Sequence, residues 1–385
     1  MKPWFNMICA LMFAAGTLAA QAGPAGEQTY IIIAGTEEGG EDTRLLREME
    51  LRFALYNQVF RFDPDTLNAP LRVRAFGDKD AYDLHVSSQL GKTVDGAVYI
   101  HYAEPDRREL ALHRGAAGQS ALPYQAFVQY LRAFIPQPPP WIRDGFGVYF
   151  NTVFFNADTG ELEFEENLAW LEAVKAQGAK APSLESILMA GASEEPAPAV
   201  FQPAAWALVS FFMNSGGEGY FRTLTELFMA LSPSASAGEN AEAVYRHITR
   251  WNGAAALEKD CRAYLMSRKS FADWVREGQR AYTAKRAEDA GECFLRAREM
   301  KPAHYLPYYY LGLLAYDRRD YADAEARYRA AGEYGADRAL ISYALGLNAA
   351  AWGKTSEAVS YLEAALAANP GRYRNRAGDL IKRLR

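Results

Sequence analysis

Between residues 271 and 372, large apolar, small and charged positions recur with a single period. Gly278, Gly312 and Gly346 lie 34 residues apart, as do Ala290, Ala324 and Ala358, and Ala297, Ala331 and Ala365. Phe294, Tyr328 and Leu362 fill the matching large apolar slot. Trp274 and Tyr308 open the first two units, Leu311 and Leu345 precede their glycines, and Pro302 and Pro370 close the first and third. This spacing predicts three units, 271–304, 305–338 and 339–372. Each is a pair of helices whose small residues let the two backbones approach closely. The basic, amphipathic tail 373–385 predicts a capping helix.

Upstream the pattern is different. Tyr30–Ala34, Leu71–Phe76, Asp95–Tyr102 and Glu109–Leu112 read as strands, from β-branched runs or two-residue alternation. Glu41–Phe60, Pro123–Ile135 and a segment starting near Trp141 have helical periodicity, with a proline-rich break over 136–140. Glu165–Gln177, Ser183–Met189, Ala204–Asn214, Tyr220–Ala230, Ala241–Asn252 and Ala254–Met266 are mostly helical. Gly35–Asp42, Glu194–Pro198 and Ser232–Asn240 read as loops. Residues 30–268 therefore predict an α+β domain, a small mixed sheet followed by a helical bundle, ahead of an all-α repeat region.

The first 22 residues read as a secretory signal. Lys2 precedes an apolar run from Met7 to Ala20, and Ala20-Gln21-Ala22 supplies a small-x-small cleavage pattern. The run is shorter than the roughly 20 residues that span a bilayer. Cleavage before Gly23 would leave 23–29 as a flexible lead; the alternative is an uncleaved anchor. No second long apolar run follows. The mature chain is thus expected to be exported, periplasmic or extracellular, with no stable membrane insertion. Cys261 and Cys293 would either pair in that oxidising compartment or remain two buried thiols.

Composition narrows the function. Half the residues are apolar and 23% are charged, which excludes a disordered chain. A net charge of −5 gives no reason to expect nucleic-acid binding. Residues 23–270 carry 32 acidic against 22 basic side chains, and residues 271–385 carry 15 against 19. Five histidines limit metal chemistry, and none of them is four residues from another. His101, Asp106 and His113 lie in one stretch as a weak alternative cluster. No nucleophile elbow or phosphate-binding glycine loop is present.

The 34-residue period resembles the tetratricopeptide repeat, with Glu277, Ser342 and Ala336 departing from that family's pattern. The resemblance implies a superhelical groove lined by the first helix of each unit. Those positions are Ala272, Val275, Gln279 and Tyr282; then Leu306, Tyr309, Leu313 and Tyr316; then Leu340, Tyr343, Leu347 and Ala350. This lining is apolar and tyrosine-rich, and lacks the Lys/Asn pattern that clamps a terminal carboxylate. It fits a protein or peptide segment of the cell envelope, or else is covered by the chain's own N-terminal domain or a subunit.

Pro140-Trp-Ile-Arg-Asp-Gly-Phe-Gly-Val-Tyr-Phe150, Gln125-Ala-Phe-Val-Gln-Tyr-Leu131 and Phe201–Phe212 resemble segments of gluzincin-like, peptidase MA type metallopeptidases. The resemblance implies a zincin-like fold in which a His-Glu-x-x-His helix and a later glutamate hold zinc. In one register Gln125 and Gln129 occupy the histidine positions and Ala126 the glutamate position, with Asp144 at the third ligand. Shifting by one places Tyr124, Gln125 and Val128 there instead. An amide is a poor zinc ligand and alanine cannot take a proton. The expectation is a pseudoenzyme with no catalytic residue, metal or cofactor, acting as an adaptor. The alternatives are a divergent zinc peptidase with a rearranged site and a structural oligomerisation protein.

Overall fold

The computed structural model describes residues 29–34, 39–164, 166, 168–192, 197–216 and 218–385. The signal segment 1–22 and nearly all of the lead 23–29 lie outside the described residues. The chain is mostly helical, with a small mixed sheet near the N-terminus, and it divides into two compact units between Arg268 and Lys269.

In the N-terminal unit, β1 (Tyr30–Ala34), β2 (Leu71–Phe76), β3 (Ala97–Ile100) and β4 (Glu109–His113) form one sheet in the order β1-β2-β4-β3. β1, β2 and β4 are parallel; β3 is an antiparallel edge strand, pairing Tyr99 with Leu110. Helix α1 (Gly39–Phe60) makes the crossover from β1 to β2. The alternation of Leu71–Phe76 buries Val73 and Ala75 in the main core. Helix α2 (Lys79–Leu90), which sequence reading left unassigned, buries Tyr82 and Val86 against Ala111 and Ile100.

Several boundaries differ from expectation for identifiable reasons. Helix α1 starts at Gly39, within the expected loop, with Glu41 and Asp42 in its first turn, where the helix dipole favours acids. Helix α3 (Ala116–Phe134) starts seven residues before Pro123, which sits inside it. A proline there removes the backbone bond its N–H would make to the Gln119 carbonyl, and its own carbonyl accepts the Tyr56 hydroxyl. Helix α4 (Pro140–Phe150) follows the proline break and leads into an unpredicted hairpin, β5 (Val153–Asn156) with β6 (Glu161–Phe164). Buried Arg52 holds that hairpin on α1 by donating to the Val153 carbonyl and pairing with Glu48.

The bundle continues with α5 (Ala169–Gln177), α6 (Leu184–Leu188), α7 (Pro198–Asn214), α8 (Glu218–Leu227) and α9 (Ala237–Ser267). Helix α7 is buried on all sides, as a run rich in Ala, Phe and Trp dictates. Ser236 caps α9 reciprocally with Glu239, so the expected loop ends there. Gly253 breaks α9 with a left-handed φ of 71°, matching the two helices read from sequence.

The C-terminal unit contains three helix pairs: α10 (Phe271–Thr283) with α11 (Ala287–Met300), α12 (Tyr305–Asp317) with α13 (Tyr321–Glu333), and α14 (Arg338–Ala351) with α15 (Thr355–Ala368). A last helix, α16 (Pro370–Leu384), packs on the third pair through Tyr373, Ala377 and Ile381. The 34-residue period is also a geometric period. Lys285, Arg319 and Gly353 have left-handed φ of 59°, 64° and 82° in the three intra-pair turns. The next amide donates back to Ala281, Ala315 and Ala349 at 2.9 Å each time. A Cβ on Gly278, Gly312 or Gly346 would meet Phe294, Tyr328 or Leu362 within 2.6–2.8 Å.

Gly312→Ala is therefore expected to destabilise the protein by about 1–3 kcal/mol through overpacking. Gly378→Ala, in open space on α16, is expected to stabilise it by about 0.5–1 kcal/mol. Urea midpoints of the two variants check both signs.

Candidate functional site

The motif-bearing helices α3 and α4 meet at a cavity of about 370 Å³. Tyr124, Gln125 and Val128 from α3 face Arg143 and Asp144 from α4, and Pro198, Phe201 and Gln202 at the start of α7 complete the wall. The approach of these helices rests on two glycines in Asp144-Gly-Phe-Gly147. A Cβ on Gly145 would lie 2.7 Å from the Ala205 carbonyl oxygen of α7, and one on Gly147 would lie 2.6 Å from the Tyr124 ring. Between them Phe146 points into the main core, against Phe60, Phe127 and Phe228.

Asp144 is 6% exposed and fully engaged. Arg143 donates from Nε to Oδ1 at 2.6 Å and from Nη2 to Oδ2 at 2.9 Å, and the Tyr124 hydroxyl donates to Oδ1 at 2.9 Å. This bidentate, charge-assisted arrangement compensates for desolvation of the carboxylate. Burial, and then the Asp144 charge, push the Tyr124 phenol well above its ordinary range, so it remains a donor.

Of the four positions that the first register sets against the zinc motif, two share the cavity. Gln125 and Asp144 line it, whereas Ala126 is buried in the core. Gln129 is 1% exposed and donates to the Arg72 carbonyl of β2 at 2.8 Å, and its Oε1 has no hydrogen-bond partner among the described residues. The residues spaced i, i+1 and i+4 that face Asp144 are Tyr124, Gln125 and Val128, those of the shifted register. Gln125 Oε1 accepts the Tyr99 backbone N–H at 3.0 Å, so its amide covers part of the outer edge of β3.

Behind this edge, His101 Nδ1 lies 3.2 Å from the Tyr99 hydroxyl. Burial, then the charges of Arg132 and Arg108, push the imidazole pKa down to about 4. Asp106 lies in an exposed turn and His113 Nδ1 accepts the Gly115 amide. Among the described residues no group of three or more His, Cys, Asp or Glu could hold a metal ion.

A second cavity, of about 160 Å³, lies between α5, α6, α7 and the C-terminal part of α9; Leu184, Ile187, Leu208 and Cys261 are in its lining. Burial pushes the Cys261 thiol up to about 12, so it is protonated and unreactive at neutral pH. Both Cys261 and Cys293 are free.

The residues expected to line a repeat groove all lie on α10, α12 and α14. Val275 is 7% exposed and packs with Phe271 and Ala297 in the unit's own core. The others are half-buried. Leu306 packs on that same cluster, and Tyr282 lies 5.9 Å from Tyr310. Tyr309 lies 6.0 Å from Tyr328, with Leu313 and Tyr316 against the same core. Tyr343 lies 4.8 Å from Tyr373 of α16. Gln279, Leu340 and Leu347 are half-buried on the same helices. Burial, then the nearby Asp317 carboxylate, pushes the Tyr282 phenol up to about 12.

Sequence reading passed over Arg143, Arg132 and Arg108. Arg143 stands inside the motif beside Asp144, and that adjacency was the available signal for it. Nothing in the sequence links Arg108 to Arg132.

No protein-family model matches the chain, and none of the curated proteins searched matches it. Among the described residues no helix is long and apolar enough to cross a membrane.

The depressed His101 pKa sets a pH dependence. The folded state keeps the ring neutral down to about pH 4, while the unfolded chain protonates it near 6.5. The unfolded state thus binds more protons in between, and this contribution to stability falls as pH drops from about 6.5 to about 4. His101→Gln is expected to flatten the acid side of the stability profile, read as urea midpoints between pH 4 and pH 7.

Proposed function

We propose that the chain is an exported, non-catalytic pseudopeptidase that acts as an adaptor, holding protein or peptide segments of the cell envelope. The observation that carries this reading is the state of Asp144. It stands opposite residues at zinc-motif spacing, yet both its oxygens are engaged by Arg143 and one also by Tyr124. Its neighbours at that spacing are a phenol, an amide and an isopropyl group. None of these is an ordinary zinc ligand, and none is a general base at neutral pH. The gluzincin-like resemblance of residues 30–265 and the tetratricopeptide resemblance of 271–372 belong to the same proposal. Export rests on the Met7–Ala20 run and the Ala20-Gln21-Ala22 pattern. Segment binding rests on the half-buried leucines and tyrosines repeated on the first helix of each pair.

The test restores what was lost. Tyr124→His, Gln125→Glu, Val128→His and Asp144→Glu, introduced together, are expected to give about one equivalent of tightly bound zinc. The wild type is expected to hold less than about a tenth of an equivalent and to cleave no peptide. Near-stoichiometric zinc in the wild type, abolished by Asp144→Ala, overturns the reading.

Leu340→Ala with Leu347→Ala is expected to weaken capture of helical peptides at least about tenfold. Leu295→Ala, at an exposed position on α11, serves as the control. Fluorescence anisotropy against a displayed-peptide panel measures both; equal affinities for the two variants count against the repeat face.

A further inference from the structure

In the C-terminal unit, residues 269–369 carry 14 basic and 14 acidic side chains, whereas residues 370–385 carry six and one. The basic excess of the unit is thus confined to its last helix, α16. The cations there are Arg372, Arg374, Arg376, Lys382, Arg383 and Arg385, and Asp379 is the lone acid. In the helix pairs, arginines are matched by acids three or four residues away: Arg276 with Asp273, Arg286 with Asp289, Arg296 with Glu299, Arg329 with Glu325. On α16 only Arg385 is matched, by Glu363 of α15. Among the described residues the other five cations are in no ion pair, and all six are exposed.

Helix geometry gathers these charges. A helix turns about 100° per residue, so Arg372, Arg376 and Arg383, at i, i+4 and i+11, share a stripe roughly 40° wide and about 16 Å long. Lys382 flanks it. The apolar side chains point the other way. Tyr373, Ala377 and Ile381 are buried with Ala339 and Leu362 of the third pair, and Leu380 and Leu384 pack on the same cluster. The exposed face of α16 is therefore cationic and carries no large apolar side chain.

That face is unfavourable when left alone, because like charges one helical turn apart, such as Arg372 and Arg376, repel. Its chemistry also selects the partner. A protein interface centres on a desolvated apolar or aromatic patch inside a polar rim, and this face offers no such patch. A layer of phosphate head groups needs only cations near its surface, and its attraction grows with each one.

We propose that the exposed face of α16 holds the protein against the anionic lipid head groups of a membrane surface. The contact is peripheral, since the residues that could insert are already committed to the third helix pair. This goes beyond the adaptor reading and does not depend on it.

The experiment sediments residues 23–385, which lack the apolar run Met7–Ala20, with lipid vesicles. One set is phosphatidylcholine alone and the other contains about 30% phosphatidylglycerol. Partition onto the anionic vesicles is expected to be at least about tenfold stronger at about 0.1 M salt, and to fall steeply by about 0.5 M. Arg372→Gln, Arg376→Gln, Lys382→Gln and Arg383→Gln together are expected to abolish the difference. Lys382→Gln with Arg383→Gln, expected to lose about threefold, supplies the same test should the fourfold variant fail to fold. Arg276→Gln, Arg286→Gln, Arg296→Gln and Arg329→Gln together remove the same charge from matched positions, and are expected to stay within about twofold of the wild type. An equal loss in this control overturns the proposal. Equal partition onto the two vesicle types also overturns it, whether the protein then binds heparin, as a general polyanion face would, or pairs with a second copy in sedimentation velocity. Zinc content and helical-peptide capture are unaffected by these outcomes, so failure here is separable from failure of the adaptor reading.

Discussion

The close seating of α4 between α3 and α7 is the constraint on which the cleft depends. Helix α4 contributes a core anchor and a cleft wall from consecutive residues, which requires both neighbours to approach its backbone. Gly145 admits the Ala205 carbonyl and Gly147 admits the Tyr124 ring, while Phe146 fills the aromatic core between them. With any side chain at either glycine, a neighbour must shift, and the cavity wall shifts with it. The same seating presents the Tyr124 hydroxyl to Asp144, so packing and electrostatics at the site have one origin.

The cleft is also a study in how charge is managed at a partly dry surface. Asp144, Arg143 and Tyr124 form a closed set in which donors and acceptor are matched. A matched set of this kind stabilises a shape. Elsewhere in the N-terminal unit, burial and then the charges of Arg132 and Arg108 hold His101 neutral.

In the C-terminal unit, one sequence period has three physical expressions. Glycines accept Phe294, Tyr328 or Leu362 from the paired helix, left-handed residues turn the chain, and alanine carbonyls receive the following amide. The turn tolerates Lys285 and Arg319 where Gly353 would be cheaper, because the backbone bond repays part of the cost. The tyrosines on the first helices divide between this internal packing and the surface. Tyr309 and Tyr343 lie against Tyr328 and Tyr373, and yet stay half-exposed.

The sequence by itself determined the local elements and the repeat. Tyr30–Ala34 and Leu71–Phe76 were legible because two-residue alternation and β-branched runs are local signals. The 34-residue units were legible because a structural repeat writes the same packing demand into the sequence three times. Gln125 and Asp144 were legible as candidates through spacing. Only the tertiary structure decided which face of α3 meets Asp144, since the two registers differ by 100° of helix rotation, which periodicity alone does not orient toward a particular neighbour. It turned Ala126 and Gln129 into the core and Tyr124 and Val128 into the cavity. The β5–β6 hairpin was likewise decided there. Residues 52 and 153 become neighbours only when the chain closes a long loop, and no local pattern records that.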